Sequence, residues 1–371
     1  MLQRLDLKKF TLFDQARFDF SPGLNLIVGE NGLGKTHLLK LGYLACGLWH
    51  SEVKDKSLIS KGSVEKQIAE RLSNLFKAEK IGNLCSTNSK EKTQVTARVE
   101  GTIPTVSVHM PHETPGKPMS DEIDWRFQFS SRSESNVVSN VVIEELQDRL
   151  TENANYGRAV YLPSKEMLSF FEGFIALYQT HSLAFDETFY DLAIKLSMPT
   201  LKERPPLVKK LLTELSQTVG GDVQLDGGRF YIVQGKKRRE VTLLAEGLRK
   251  LATLMQLLTN GSLAEGDTLF WDEPESNLNP KLIKLIAEMI LHLCANGIQV
   301  IIATHSLFLL RELEVLSEKK EFKSVPQRYF SLCANEQGVN VEQGDSIEDI
   351  QTLVLLDEEL NQSQRYMEAG G

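Results

Sequence analysis

The chain has 371 residues, 41% hydrophobic and 25% charged, with a formal net charge of −8 at pH 7. That balance fits a globular protein with one large core or two lobes, and it excludes nucleic-acid binding through overall charge, leaving only a local basic patch for that role. No apolar run reaches ~18 residues, and MLQRLDLKKF carries no signal-peptide core, so the expectation is a cytoplasmic protein without a membrane span. Cys46, Cys85, Cys294 and Cys333 lie far apart with no CxxC spacing. They read as buried thiols in a reducing compartment, not as zinc ligands or disulfides.

In chain order, Leu2, Leu5, Leu7, Phe10 and Leu12, then Ala16, Phe18 and Phe20, predict two strands joined at Phe13-Asp14-Gln15. After a Ser21-Pro22-Gly23 turn, Leu24 to Val28 reads as a short buried strand. Gly29-Glu30-Asn31-Gly32-Leu33-Gly34-Lys35-Thr36 follows, and His37 to Leu44 opens a helix. Residues 37–83 read as helical, charged from Ser51 to Lys80, which predicts an exposed helical insertion over 51–92 with a loop at 84–92. A β-rich portion over 93–162 is expected to hold strands at Gln94 to Val99, Thr105 to His109 and Ile123 to Ser130. The Pro-rich stretch from Met110 to Pro118 would be a mobile connection, and Ala159 to Leu162 a buried strand.

Residues 165–219 read as a helical lobe broken at Pro199 and Pro205-Pro206. Asp226-Gly227-Gly228 signals a hairpin, with a third strand from Arg239 to Leu243. Over 240–345 strands and helices alternate: a helix at 247–259, a strand at 268–271, a helix at 280–295 capped by Asn279, a strand at 298–303, a helix at 306–316 and strands at 328–333 and 338–342. A C-terminal helix near 346–358 and a frayed tail from Asn361 complete the chain. The alternation predicts an α/β fold with a parallel or mixed core sheet, an antiparallel β portion and a helical insertion lobe.

Residues 29–36 fit G-x-x-x-x-G-K-[ST], set between a strand and a helix. Glycines let successive N–H groups converge on phosphate oxygens, and the helix N-terminus adds its positive end. Glu30, Asn31, Gly32, Leu33, Gly34, Lys35, Thr36 and His37 are therefore the expected phosphate cradle. Lys35 would reach the β- and γ-phosphates, and the Thr36 hydroxyl would ligate Mg²⁺. Leu269-Phe270-Trp271-Asp272-Glu273-Pro274 is an apolar strand ending in two carboxylates. Asp272 is placed to hold Mg²⁺ and Glu273 to polarise the attacking water, so Mg-ATP is the implied cofactor.

Three further stretches follow in order: Leu244-Ala245-Glu246-Gly247-Leu248, Ser276-Asn277-Leu278-Asn279-Pro280 and Ala303-Thr304-His305-Ser306. Together with the two motifs above they resemble the ABC-type ATPases, in the soluble RecF/SMC-like branch. The resemblance implies a single head in which ATP closes a homodimer or higher homo-oligomer. Glu246 and Gly247, as the signature loop, would face the partner's nucleotide. His305 would sense the γ-phosphate beside Lys35 and Glu273, and hydrolysis would release the closed state. Family analogy places part of the adenine pocket near Phe10 to Phe13.

Two departures stand out: the signature serine is Ala245, with Thr242 as a stand-in, and no glutamine marks the Q-loop, where Ser164 or Glu166 would serve. Both fit slow or effector-gated hydrolysis, and both argue against a transporter subunit. The chain carries neither a long coiled coil nor a nuclease constellation, so a separate effector protein is expected. Lys236-Lys237-Arg238-Arg239 is the sharpest basic run and the candidate DNA contact, placed in a hairpin turn, with a solvated turn as the plainer reading. The functional expectation is an ATPase acting as motor or sensor in bacterial DNA maintenance or anti-phage defence. The alternative is an ATP-dependent scaffold holding a toxin or nuclease effector without touching DNA.

Overall fold

Alternating apolar side chains pull the first two strands onto one core face. β1 (Leu2–Phe10) and β2 (Phe13–Asp19) pair antiparallel with Leu5 opposite Phe18, Leu7 opposite Ala16 and Phe10 opposite Phe13. The chain reverses at Thr11-Leu12, two residues before the expected turn. Phe13 is fully buried opposite Phe10, so the reversal must precede it, and Thr11 takes φ 45° to make it. The structure, a computed structural model, describes residues 1–51, 60–86, 91–103, 119–140, 157–335, 338–350, 352, 361–362 and 364–368. The strand expected at 105–109, the Pro-rich connection and most of the helix expected at 346–358 lie outside them.

β3 (Leu24–Gly29) is buried along its whole length and runs into α1 (Lys35–Ser51). α2 (Lys61–Phe76) starts at Ser60, whose hydroxyl accepts from the Ser63 N–H at 3.2 Å. Its Val64, Ile68, Leu72 and Leu75 are buried at helical spacing, so this part of the expected exposed insertion is an amphipathic helix with one face in the core. β4 (Thr93–Ile103), β5 (Met119–Phe129) and the short β6 (Val138–Ser139) extend the first pair into a five-stranded antiparallel sheet ordered β2-β1-β4-β5-β6.

β7 (Ala159–Leu162) leads to three helices: α3 (Phe174–Thr180), α4 (Glu187–Leu196) and α5 (Pro206–Val219). β8 (Asp222–Asp226), β9 (Arg229–Gln234) and β10 (Lys237–Glu240) form a separate three-stranded meander. The third strand thus spans 237–240, not 239–243; residues 241–243 make a 3-10 turn that tucks Val241 into the core. α6 (Glu246–Thr259), β11 (Thr268–Asp272), α7 (Pro280–Ala295), β12 (Gln299–Thr304), α8 (Leu307–Ser317), β13 (Gln327–Asn335) and β14 (Gly338–Gly344) follow in the expected order. In the C-terminal region, Ile347–Asp349 is a 3-10 turn, and the described residues from 361 to 368 are helical and exposed where fraying was expected.

The central sheet has six strands ordered β14-β13-β3-β12-β11-β7, parallel except for β14. One core cluster lies between this sheet and α4 to α8; the other lies between it, α1, α2 and the antiparallel sheet. A buried amide joins the two sheets. Gln299 Oε1 accepts from the Leu2 N–H at 2.8 Å, while Nε2 donates to Leu2 O at 2.7 Å and Ser21 O at 2.8 Å. Leucine there would fill the space but leave those backbone groups unpaired, at about 1–3 kcal/mol for each one orphaned. Gln299→Leu should lower unfolding free energy by on the order of 3 kcal/mol in urea denaturation. A loss under about 0.5 kcal/mol would show that water replaces the clamp.

Candidate functional site

Three loops leave the same edge of the parallel sheet, the carboxyl ends where α/β sheets bind ligands. Register brings them together: Thr304 lies opposite Val28, and Asp272 opposite Ala303. In the Gly29–Thr36 loop, Gly34 has φ 87°, and a Cβ there would sit 3.0 Å from the buried Phe13 ring, so glycine is required. Asn31 and Gly32 are exposed at the tip of the loop, and Leu33 is buried beneath it. Lys35 opens α1 and folds back over its own loop, donating to Gly29 O at 2.7 Å and Glu30 O at 2.8 Å. Burial pushes its ammonium pKa down, against the pull of Glu273, Asp272 and Glu275.

The two candidate metal ligands touch. Thr36 Oγ1 donates to Asp272 Oδ2 at 2.9 Å. Burial pushes the Asp272 carboxyl up to about 6, opposed by that hydrogen bond. Glu273 sits at φ 47°, in the left-handed region, and its N–H donates to Ala303 O at 2.9 Å. This twist turns the second carboxylate out of the strand, with Oε1 3.4 Å from His305 Nδ1. Glu275, buried, accepts from Thr304 Oγ1 at 2.6 Å and from the His305 N–H at 3.3 Å, and so orients the His305 loop.

The signature stretch meets the turn after Asp272. Glu246 Oε1 accepts from Asn277 Nδ2 at 2.9 Å, and a Cβ on Gly247 would lie 2.4 Å from the Leu278 side chain. Ala245 precedes α6 without a side-chain cap, and Thr242 and Leu243 are exposed before it. Lys250, buried in α6, donates to Glu273 O at 3.1 Å and to Ser276 Oγ. It ties the signature helix to the twisted carboxylate turn. The sequence reading assigned it no role, although a lysine on the apolar face of an amphipathic helix was the signal. Glu275 had no such signal, since its acidic neighbours look alike in sequence.

Other expected residues go elsewhere. The His37 ring packs edge-on against Phe76, 5.3 Å between centroids, and its Nδ1 is buried without a hydrogen bond; only its backbone is placed at the loop. Phe10 and Phe13 are fully buried, so neither ring is open to a base, and of that stretch only Thr11 and Leu12 reach the surface. Glu166 is held by Arg249 Nε at 2.8 Å and by the Ser169 N–H at 3.1 Å, which removes it as a Q-loop stand-in. Ser164 instead lines a cavity of about 370 Å³ with Thr36, Lys40, Tyr161, Lys165 and Asp272. The basic run lies mostly on the edge strand β10, not in the turn. Arg238 pairs with Asp226 at 2.7 Å and stacks 3.5 Å over Tyr231, while Lys236, Lys237 and Arg239 are exposed and have no ion pair among the described residues.

Comparison with known proteins gives a consistent picture. The family described as "AAA domain, putative AbiEii toxin, Type IV TA system" matches residues 24–311. Curated relatives are DNA replication and repair proteins RecF. That of Renibacterium salmoninarum is 41% identical over 68 residues, 18% of this chain and 17% of the relative; that of Lactococcus lactis is 35% identical over 69 residues, 18% and 19%. The chain thus matches under a fifth of the length of these relatives. Among solved structures, an SMC head bound to the C-winged helix domain of ScpA aligns at TM-score 0.52 and 14% identity over 95% of this chain and 99% of that one. The Pyrococcus yayanosii Smc head with a coiled coil and joint gives 0.52 and 10% over 96% and 99%. The central fold is therefore that of an SMC-like head.

A carboxyl raised by burial favours its protonated form in the folded state, so folding holds a proton there that the unfolded chain releases. Nucleotide-free protein should lose this part of its stability as pH rises from about 4 to about 6 and regain none above it. Asp272→Asn should be more stable than wild type at pH 7.5, by on the order of 2 kcal/mol, and no more stable at pH 4. Urea denaturation at the two pH values checks it; equal stability at both would place Asp272 in a better-solvated site.

Proposed function

The chain belongs to the AAA-domain family described as putative AbiEii toxin of a type IV TA system, a RecF/SMC-like group of ATPases, and on that premise we propose that it binds and hydrolyses Mg-ATP at the sheet edge. The observation that carries the reading is the Thr36–Asp272 contact, which joins the two halves of a Mg²⁺-phosphate site across 236 residues of sequence. Gly29 to Thr36 cradle the phosphates; the Lys35 ammonium leaves its own carbonyls for the β- and γ-oxygens. Thr36 and Asp272 hold Mg²⁺. Glu273 polarises the attacking water, and His305, 3.4 Å from it, reads the γ-phosphate.

The signature loop acts on a second copy. Its exposed Leu243 and the uncapped start of α6 offer an apolar contact and open N–H donors to a partner's nucleotide. ATP held between two heads closes the dimer, and hydrolysis opens it. The working role is a motor or sensor in a bacterial DNA-maintenance or anti-phage system. The edge strand β10 supplies Lys236, Lys237 and Arg239 to phosphate backbones just before the signature loop. A second reading, a scaffold that holds a separate effector, is favoured by Phe308 and Val315. They lie seven residues apart on α8, and both are exposed.

Glu273→Gln should retain ATP binding while lowering turnover at least about 100-fold, and should accumulate a dimer on size-exclusion chromatography with ATP. Turnover within a few-fold of wild type would remove Glu273 from its role. Double-stranded DNA should stimulate wild-type turnover at low salt and less so at moderate salt, and Lys236→Ala with Lys237→Ala and Arg239→Ala should abolish the stimulation without changing basal rate. Turnover indifferent to DNA would favour the scaffold reading.

A further inference from the structure

Away from the nucleotide site, Glu288 and His292 stand four residues apart on one face of α7, and Glu321 approaches them from the turn after α8. Their candidate ligand atoms all lie within 4.8 Å of one another. We infer that Glu288, His292 and Glu321 bind one divalent transition-metal ion of the zinc class.

The histidine carries the inference. The residue is 7% exposed, yet among the described residues neither ring nitrogen has a hydrogen-bond partner. The ring nitrogens are not sealed from solvent, so a free imidazole lone pair at the surface of the core stays open to an incoming ion. The ring is fixed by Phe322, edge-on at 4.8 Å between centroids, and Phe322 is wholly buried. That contact also places the neighbouring Glu321, so the packing sets the spacing of the ligands. One imidazole and two carboxylates suit zinc or a similar ion; Mg²⁺ and Ca²⁺ want more oxygens and no imidazole.

Metal bonds of about 2 Å put ligand atoms about 3.3 Å apart, so closing the site takes ~1 Å of rotamer movement by the two glutamates. Glu321 is exposed and free to move, and water supplies the fourth position. Lys319 Nζ, 3.8 Å from Glu288, must swing aside; Lys210 and Glu214 of α5 also stand near the ring. The ion would clamp α7 to the segment that enters β13, the strand beside β3. His292 lies about 18 Å along α7 from its start near the signature loop, so the role is structural, not hydrolytic.

The test uses full-length Asp272→Asn protein, stripped with EDTA and free of Mg²⁺ and nucleotide, so that the site at Thr36 does not compete. Calorimetric titration with Zn²⁺ should show one equivalent, lost in His292→Ala and at least about tenfold weaker in Glu321→Gln. Glu321 is exposed, so that variant reports on binding even if removal of His292 unfolds the chain. Co²⁺ should give a visible spectrum without thiolate charge-transfer bands, since Cys294 is not a ligand. Zn²⁺ should raise the melting temperature of the parent and not of Glu321→Gln. Binding unchanged in Glu321→Gln, thiolate bands, or no saturable binding would each overturn the assignment.

Discussion

The whole site depends on strand register in one parallel sheet. β3, β12 and β11 lie side by side, and each ends at the same edge with a loop that carries charge. Slipping one strand by a residue would reverse its side chains and carry Asp272 away from Thr36. What prevents the slip is burial on both faces. Leu24, Leu26, Val300, Ile302, Leu269 and Trp271 face one core, and Ile27, Ile301, Ala303 and Phe270 face the other. Hydrophobic packing therefore holds a polar constellation in place that would not assemble by its own attraction.

The constellation itself is built from charges that folding has taken out of water. Lys35, Lys250, Asp272 and Glu275 are all buried, and each has a partner within the site. Opposite charges offset one another's desolvation, which keeps the groups tolerable without nucleotide and leaves them responsive to it. The left-handed backbone at Glu273 belongs to the same logic. Lys250, Ser276 and the Ala303 carbonyl together hold a conformation that an isolated glutamate avoids.

The helix that follows the phosphate loop is braced from outside. Lys40 joins Leu75 O and the Asp186 carboxylate, each at 2.8 Å, and so ties α1 to the ends of α2 and α4. One turn further, Tyr43 donates to Asp191 at 2.6 Å, and Arg71 meets the same carboxylate at 3.0 Å. A movement of the phosphate loop would thus be felt in the helical lobe, since these groups are largely buried and unscreened. The lobe is not an appendage to the head but part of the frame that positions Lys35.

Much of this was legible in the chain itself. The glycines before Lys35 announce a backbone that must bend, and the apolar run ending in Asp272-Glu273 announces a buried strand with a charged exit. Periodicity placed the strands and helices between residues 244 and 344 to within a residue or two, because Pro280, Asn279 and Ser306 act locally on their own helix starts. What only the tertiary structure decided were pairings between distant segments. It sent Phe10 and Phe13 into the core, turned the His37 ring onto Phe76, consumed Glu166 on Arg249, and gave Lys250, Glu275 and Gln299 their partners. The division has a simple cause. Backbone propensity and capping act over a few residues and are written in order, whereas a side chain's partner is set by which strands and helices pack together, and sequence spacing carries no trace of that.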